Sequence, residues 1–245
     1  MTEFAFFQKF YGSLALLILA FWGMGQTALS LLKAPAQNDR WLQGALATSL
    51  GMGLFVVVLQ GLAVGGQLTR PALFVALIVS WGLALWQTVR AWRQRAATGR
   101  PATAVTWQAH ELFWLWVVLV ALAPTLVAPL TPPQQWDELM YHLPHARQWA
   151  MSGSLTVNEW LRFPWFPYNY DLLYAAALLL KGDVLAHLLH ALAGWLVALI
   201  TYRVGVRHAG HATAGLATSA WLVLGGPLYA SAYIDLGVAL FLMSS

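Results

Sequence analysis

Residues Trp136 to Tyr170 read WDELMYHLPHARQWAMSGSLTVNEWLRFPWFPYNY. This stretch decides how the rest of the chain is read, because almost everything on either side of it is apolar. Five of the nine acidic residues fall between Asp137 and Asp183, and a sixth is Asp235. A chain poor in charge that gathers its carboxylates in one aromatic-rich segment points to that segment as the seat of its chemistry.

Working outward, the 245 residues are 60% apolar and 9% charged. A soluble domain carries roughly 25% charged residues. The mean hydropathy of +0.63 and the 14 Trp indicate an all-α polytopic membrane protein. There is no Cys, which excludes disulfides and thiolate metal sites. The net charge of +4 does not indicate nucleic acid, because the basic residues sit mostly in short loops between helices, where positive-inside topology puts them.

Phe10 to Leu32 is about 23 apolar residues, enough to span a bilayer core of roughly 30 Å. Ala34-Pro35-Ala36 after it looks like a weak signal-cleavage site, but the run is longer than the roughly 7–15 residues of a signal peptide. A retained helix is the better reading. Trp41 to Val64 is the second span. Gly51, Gly53 and Gly61 in it fit ordinary membrane-helix composition, with close helix packing as the alternative. Pro71 opens the third span. Arg90, Arg93, Arg95 and Arg100 follow with no acid among them, and placing them in the cytoplasm orients the chain. The fourth span, about Trp107 to Pro129, carries Glu111 in its first turns and puts the Trp136 segment outside. Leu172 to Leu180 is too short to cross and reads as an interfacial or re-entrant helix on the outer surface. Val184 to Val204 is the fifth span, ending at Arg203, Arg207, His208 and His211. Thr213 to Tyr229 is the sixth, and returns Asp235 to the face of Asp137. About ten residues of a seventh apolar run follow, where a span needs about 20, so the reading is a fragment of a longer protein.

The loop 131–182 carries the candidate site. Asp137 and Glu138 open an amphipathic helix. They are either dipole-favoured helix-start acids or a base, electrostatic or metal site. Asp137, Tyr141, His145 and Gln148 share one helical face, with Glu138, His142 and His145 one step over. Leu139, Leu143, Ala146 and Ala150 line the apolar side. Such a helix lies in the interface with its polar side toward an aqueous cavity. Pro144 kinks it and Gly153 stops it. Glu138, His142 and His145 have near-helical metal spacing, though hydrogen-bonded histidines are the plainer account. The aromatics from Trp160 to Tyr170 suit membrane anchoring and sugar or lipid contact alike. Arg162 and Lys181 can meet a lipid phosphate or anionic head groups. His187 and His190 lie one turn apart near the outer end of the fifth span, where polar groups carry a functional expectation.

This order of features resembles the GT-C membrane glycosyltransferases, in particular the branch of the lipid A aminoarabinose transferases and protein O-mannosyltransferases. The matching residues are Asp137-Glu138 with Tyr141 after a membrane helix, the turn Ser152-Gly153, and Pro167-Tyr168 before a short helix ending at Gly182. His187 in the next span and the aromatic-x-Asp at Tyr233-Ile234-Asp235 complete the pattern. The resemblance covers about 107–245, with residues 1–106 as preceding helices and a basic loop. The chain departs from the family at Trp165-Phe166, where relatives carry a basic residue or His, and at His187, where they carry Arg.

The resemblance implies a catalytic loop with Asp137, Glu138 and Asp235 as catalytic carboxylates. Tyr141, His142, Arg162, Tyr168, Asn169, Lys181 and His187 would bind substrate. Asp137 and Asp235 are the residues that would hold a divalent metal ion, if one is used. It further implies a polyprenyl-phosphate-linked sugar donor and a glycan, lipid or protein acceptor. The setting would be a bacterial cytoplasmic membrane among its lipids, with 131–182 and Asp235 extracytoplasmic. A transporter, a channel or a non-catalytic membrane scaffold is the alternative.

Overall fold

The computed structural model describes residues 3–34, 37, 39–98, 108–165 and 168–245. Pro35, Ala36, Arg100, Trp107, Phe166 and Pro167, which carry parts of the expectations above, lie outside the described residues. The chain is 82% helix, with no strand among the described residues. In order the helices are α1 (Glu3–Leu31), α2 (Arg40–Val64), α3 (Arg70–Thr98), α4 (Ala109–Val127), α5 (Leu143–Ser152), α6 (Asp171–Leu180), α7 (Asp183–Leu224) and α8 (Asp235–Ser244). Helices α1 to α4 and α7 are long and apolar enough to cross a bilayer. This is the make-up of a helical membrane protein.

Helix α7 is the central post. Within its most apolar window 78% of residues are buried by protein, against 11% for α4 of similar hydropathy. Equal apolarity with unequal burial separates a helix that faces other helices from one that faces lipid. The fifth and sixth expected spans are the two arms of α7, which folds back at Gly210 (φ 80°, ψ 170°), a conformation glycine adopts without strain. Trp221 Nε1 of the second arm donates to the Gly194 carbonyl of the first at 3.0 Å. The second arm ends at Leu224 rather than Tyr229, because Gly225 and Pro227 lead into a tight 3-10 turn, Gly226–Ala230.

Helices α1 and α2 approach closely. A Cβ on Gly51 would strike the Phe21 carbonyl, and one on Gly25 would strike that of Ala47. Gly51 is therefore a packing glycine, while Gly61 faces open space as ordinary composition predicts.

Polar contacts sort into two ends. At one, Asp39 caps α2 and meets Arg203 of α7 at 2.5 Å, and Glu111 of α4 meets His211 beside the bend at 3.0 Å. At the other, the Leu68 N–H donates to the Gly153 carbonyl at 2.9 Å, and Arg147 pairs with Asp183 at 3.3 Å. There too, Arg70 Nε reaches the Leu179 carbonyl at 2.6 Å. The Tyr11 hydroxyl donates to the Leu126 carbonyl at the same end. The segments that charge alternation groups together are thus grouped by contact.

Two local expectations need correction. Helix α6 does not lie on a surface: residues 171–177 are all buried, wedged against α5, α7 and α2. Helix α5 does not turn its polar side to open water either. Glu138, His142 and His145 are buried, whereas Leu139, Met140 and Met151 are exposed. The polar groups can face inward because each has a partner there.

Candidate functional site

The local cause of the site is a proline. Pro144 has no N–H to give the Met140 carbonyl, so the helical ladder slips by one residue ahead of it. Glu138–His142 form a π turn in which the Leu143 N–H reaches the Glu138 carbonyl. Such turns are rare and re-aim side chains. Here Glu138 and His142 both point into the protein.

Glu138 has no exposed surface and four donors. Oε1 accepts from the Gln134 and Gln135 N–H groups at 2.6 and 2.7 Å. Oε2 accepts from His187 Nε2 at 2.9 Å and from the Ala232 N–H at 2.7 Å. Burial pushes its carboxyl up, but these donors outweigh it and hold Glu138 below the usual carboxylate range. One side chain therefore ties the start of the 131–182 loop to α7 and to the 231–234 segment.

His190 completes that tie. Its Nδ1 donates to the Leu228 and Ser231 carbonyls at 3.1 and 2.9 Å, and Nε2 accepts from the Leu236 N–H at 3.1 Å. The two nitrogens have opposite partners, which fixes a neutral ring with the proton on Nδ1. The Tyr174 hydroxyl also donates to the Tyr233 carbonyl.

These ties bring Asp137, Tyr141, Tyr233 and Asp235 to one place. The Tyr141 hydroxyl is pushed well above its usual range, first by burial and then by the Asp137 carboxylate beside it. Tyr233 is raised by burial, with Asp137, Glu138 and Asp235 all acting on its hydroxyl. The two aspartates, 98 positions apart (235 − 137), thus bear on one phenol. Glu138 sits behind them with both oxygens engaged, so its placement is that of a strut.

A second buried pair adjoins this cluster. His142 Nδ1 lies 3.1 Å from each oxygen of Asp171, which is fully buried at the start of α6. Burial pushes Asp171 up to about 6, with His142 pulling the other way. The His142 ring packs against Tyr141 (centroids 4.4 Å), Tyr168 (6.1 Å) and Tyr233 (6.1 Å). Asp171 precedes the Leu172–Leu180 run and is not among the residues the sequence marks as a candidate site. The signal that could have found it is an acid heading a helix otherwise made of Leu, Ala and Tyr.

The other expected residues divide. Tyr168 is buried and stacks on His145 at 4.5 Å, and its hydroxyl donates to the Phe163 carbonyl at 2.8 Å. His145 Nε2 meets the Arg162 carbonyl at 3.1 Å, and burial lowers its pKa. Arg162 is exposed and lies over the Trp136 ring at 4.6 Å. Asn169 and Lys181 are exposed. His187 is fully buried against Glu138, so it does not face the cluster as a phosphate ligand would. Trp160 and Trp165 stand out at 97% and 75% exposure, as interfacial anchors do.

No group of three or more His, Asp or Glu side chains among the described residues is placed to hold a metal ion. Glu138, His142 and His145 go to three different partners. Asp137 and Asp235 would supply two of the roughly six oxygen ligands that a magnesium ion takes. A cavity of about 670 Å³ lies beside α5, between Leu139, Leu143, Arg147, Met151 and Asp183.

No family model matches the chain, and no solved structure matches it. An uncharacterized protein of Shigella flexneri is 34% identical over 133 residues, which is 54% of this chain and 62% of that protein. The chain thus spans less than two thirds of that relative's length.

Proposed function

We propose that the protein is a membrane glycosyltransferase, moving a sugar from a polyprenyl-phosphate-linked donor to an acceptor hydroxyl at the loop end of the bundle. The observation that carries this reading is the tie of the Ala232 N–H to Glu138 at 2.7 Å, which brings the segment that ends at Asp235 against the Asp137-Glu138 pair. Two carboxylates beside apolar helices suit a reaction whose leaving group is lipid-bound. One can bear on the acceptor hydroxyl and the other on the positive charge that grows at the anomeric carbon. The interfacial Trp residues and Arg162 suit the lipid-phosphate side. A transporter would place its polar groups along broken helices at mid-bundle. Here the buried His187 and His190 of α7 fasten loops.

The test is sugar transfer in membranes from polyprenyl-phosphate donors, for wild type, Asp137→Asn and Asp235→Asn. Transfer by wild type that falls by about 10²–10⁴ in Asp137→Asn, at equal protein level, supports the reading. Transfer retained in both variants overturns the site. Failure of wild type across the donor series overturns the activity and favours the transporter or scaffold.

A further inference from the structure

We propose that His142 accepts the proton of the acceptor hydroxyl, with Asp171 as its positioning partner. This rests on the glycosyl-transfer reading and assigns the base within it. Asp137, beside the Tyr141 hydroxyl, then serves as the electrostatic group.

Geometry carries the assignment. Both Asp171 oxygens share Nδ1 of His142 at 3.1 Å, so Nδ1 is the protonated nitrogen and Nε2 carries the lone pair of the neutral ring. Among the described residues Nε2 has no hydrogen-bond partner. It is also absent from the buried polar atoms left without one, which include His187 Nδ1 and the Tyr229 hydroxyl. With 5% of the side chain open, Nε2 is the part that meets the outside. The ring lies among Tyr141, Tyr168 and Tyr233, two of which also face Asp137.

The other buried histidines are placed differently, and the second nitrogen of His187 is sealed inside the protein. His190 uses both nitrogens on backbone groups, His145 holds the Arg162 carbonyl, and His187 braces Glu138. Buried carboxylate–histidine pairs with one nitrogen left over are the arrangement by which a base is held in one tautomer. The π turn before Pro144 supplies the aim.

The step balances. The acceptor oxygen forms a bond to the anomeric carbon while its proton passes to Nε2. The bond from that carbon to the phosphate oxygen breaks, and its electron pair leaves with the lipid phosphate. Asp171 offsets the charge of the imidazolium until the proton passes to water.

Two measurements on the protein in membranes test this. The first is diethyl pyrocarbonate labelling with peptide mapping, which needs no substrate. His142 should be carbethoxylated, while His187 and His190 stay unlabelled until the protein is unfolded. The second is transfer by His142→Gln and Asp171→Asn, checked for unchanged thermal unfolding in detergent. His142→Gln should fall by about 10²–10⁴, and Asp171→Asn by about tenfold or more through loss of the tautomer. Added imidazole should restore part of the His142→Gln rate. Unlabelled His142 overturns the inference and leaves the glycosyl-transfer reading standing, as does transfer by His142→Gln within threefold of wild type. Labelled His142 with no wild-type transfer from any donor overturns that reading, and the assigned proton step with it.

Discussion

Glu138 and Asp171 are both fully buried carboxylates, each against a histidine, at the same end of the molecule. Their surroundings are opposite. Glu138 receives three backbone N–H groups as well as His187, and stays below the usual carboxylate range despite burial. Among the described residues the side chain of Asp171 has one donor, His142, and is pushed up to about 6. Both side chains are closed to solvent, and the one with four donors stays low while the one with a single donor is pushed up by its burial. A carboxylate with all its lone pairs engaged is a brace. One whose histidine keeps its second nitrogen unsealed, as His142 does and His187 with its buried Nδ1 does not, is poised for proton transfer.

The largest expected effect follows from the brace. Glu138→Ala would strand the Gln134, Gln135 and Ala232 N–H groups and His187 in a buried setting. Breaking a buried pair by removing one partner costs about 3–5 kcal/mol, and the Ala232 tie to the 231–234 segment goes with it. Thermal unfolding in detergent should show the loss directly. Glu138→Gln keeps one good acceptor and should cost less, about 1–3 kcal/mol. An alanine variant as stable as wild type would break the comparison at its root, because Glu138 would then hold nothing together.

The pH dependence separates the pairs by sign. The folded pKa of Asp171 lies above its ordinary 3.8, so its contribution is fully present below that value and is lost as pH rises through about 6. Glu138 runs the other way. Its folded pKa is depressed, so its contribution is present above the ordinary 4.5 and is lost as pH falls through the folded value. Between pH 5 and 7.5, wild type should therefore lose stability relative to Asp171→Asn, by on the order of 2 kcal/mol. Parallel melting curves for the two proteins across that range would place Asp171 among ordinary, well-satisfied carboxylates.

Helices were legible from composition and run length: α2 and α4 lie within about two residues of the expected bounds, while α1 starts before Phe10, at Glu3, and α3 runs on past Arg90 to Thr98, because a helix continues into polar sequence that the apolar run does not mark. The clustering of Asp137 with the Tyr233–Asp235 segment was legible from charge alternation, because counting crossings needs no side-chain geometry. Which polar groups are buried was not. Glu138 and His142 look like solvent-facing members of an amphipathic helix until the Pro144 slip turns them inward. Asp171 looks like a mere interruption ahead of a short apolar run until α6 is seen wedged against α5. His187 has the residue type of a phosphate ligand, and only the chain crossing 49 positions away makes it a brace (187 − 138). The first failure is a local slip of the helical ladder and the other two are contacts between distant segments, and period and spacing encode neither.

The smallest expected effect on stability sharpens the comparison most. Tyr233 holds the bundle through its main-chain carbonyl, which accepts from Tyr174, while its hydroxyl meets the Asp137 main-chain N–H and feels the charges of Asp137, Glu138 and Asp235. Tyr233→Phe keeps the carbonyl and the ring and removes only the hydroxyl. Stability should stay within about 0.5 kcal/mol of wild type, as for a substitution that removes no buried tie. If the cluster is chemical, sugar transfer should still fall, by about tenfold for the loss of one well-placed donor near a carboxylate (about 1.4 kcal/mol). A variant that melts and transfers like wild type would leave the convergence of the two aspartates without a working group between them. One that unfolds early would move Tyr233 to the side of Glu138, among the residues that hold the loop end together.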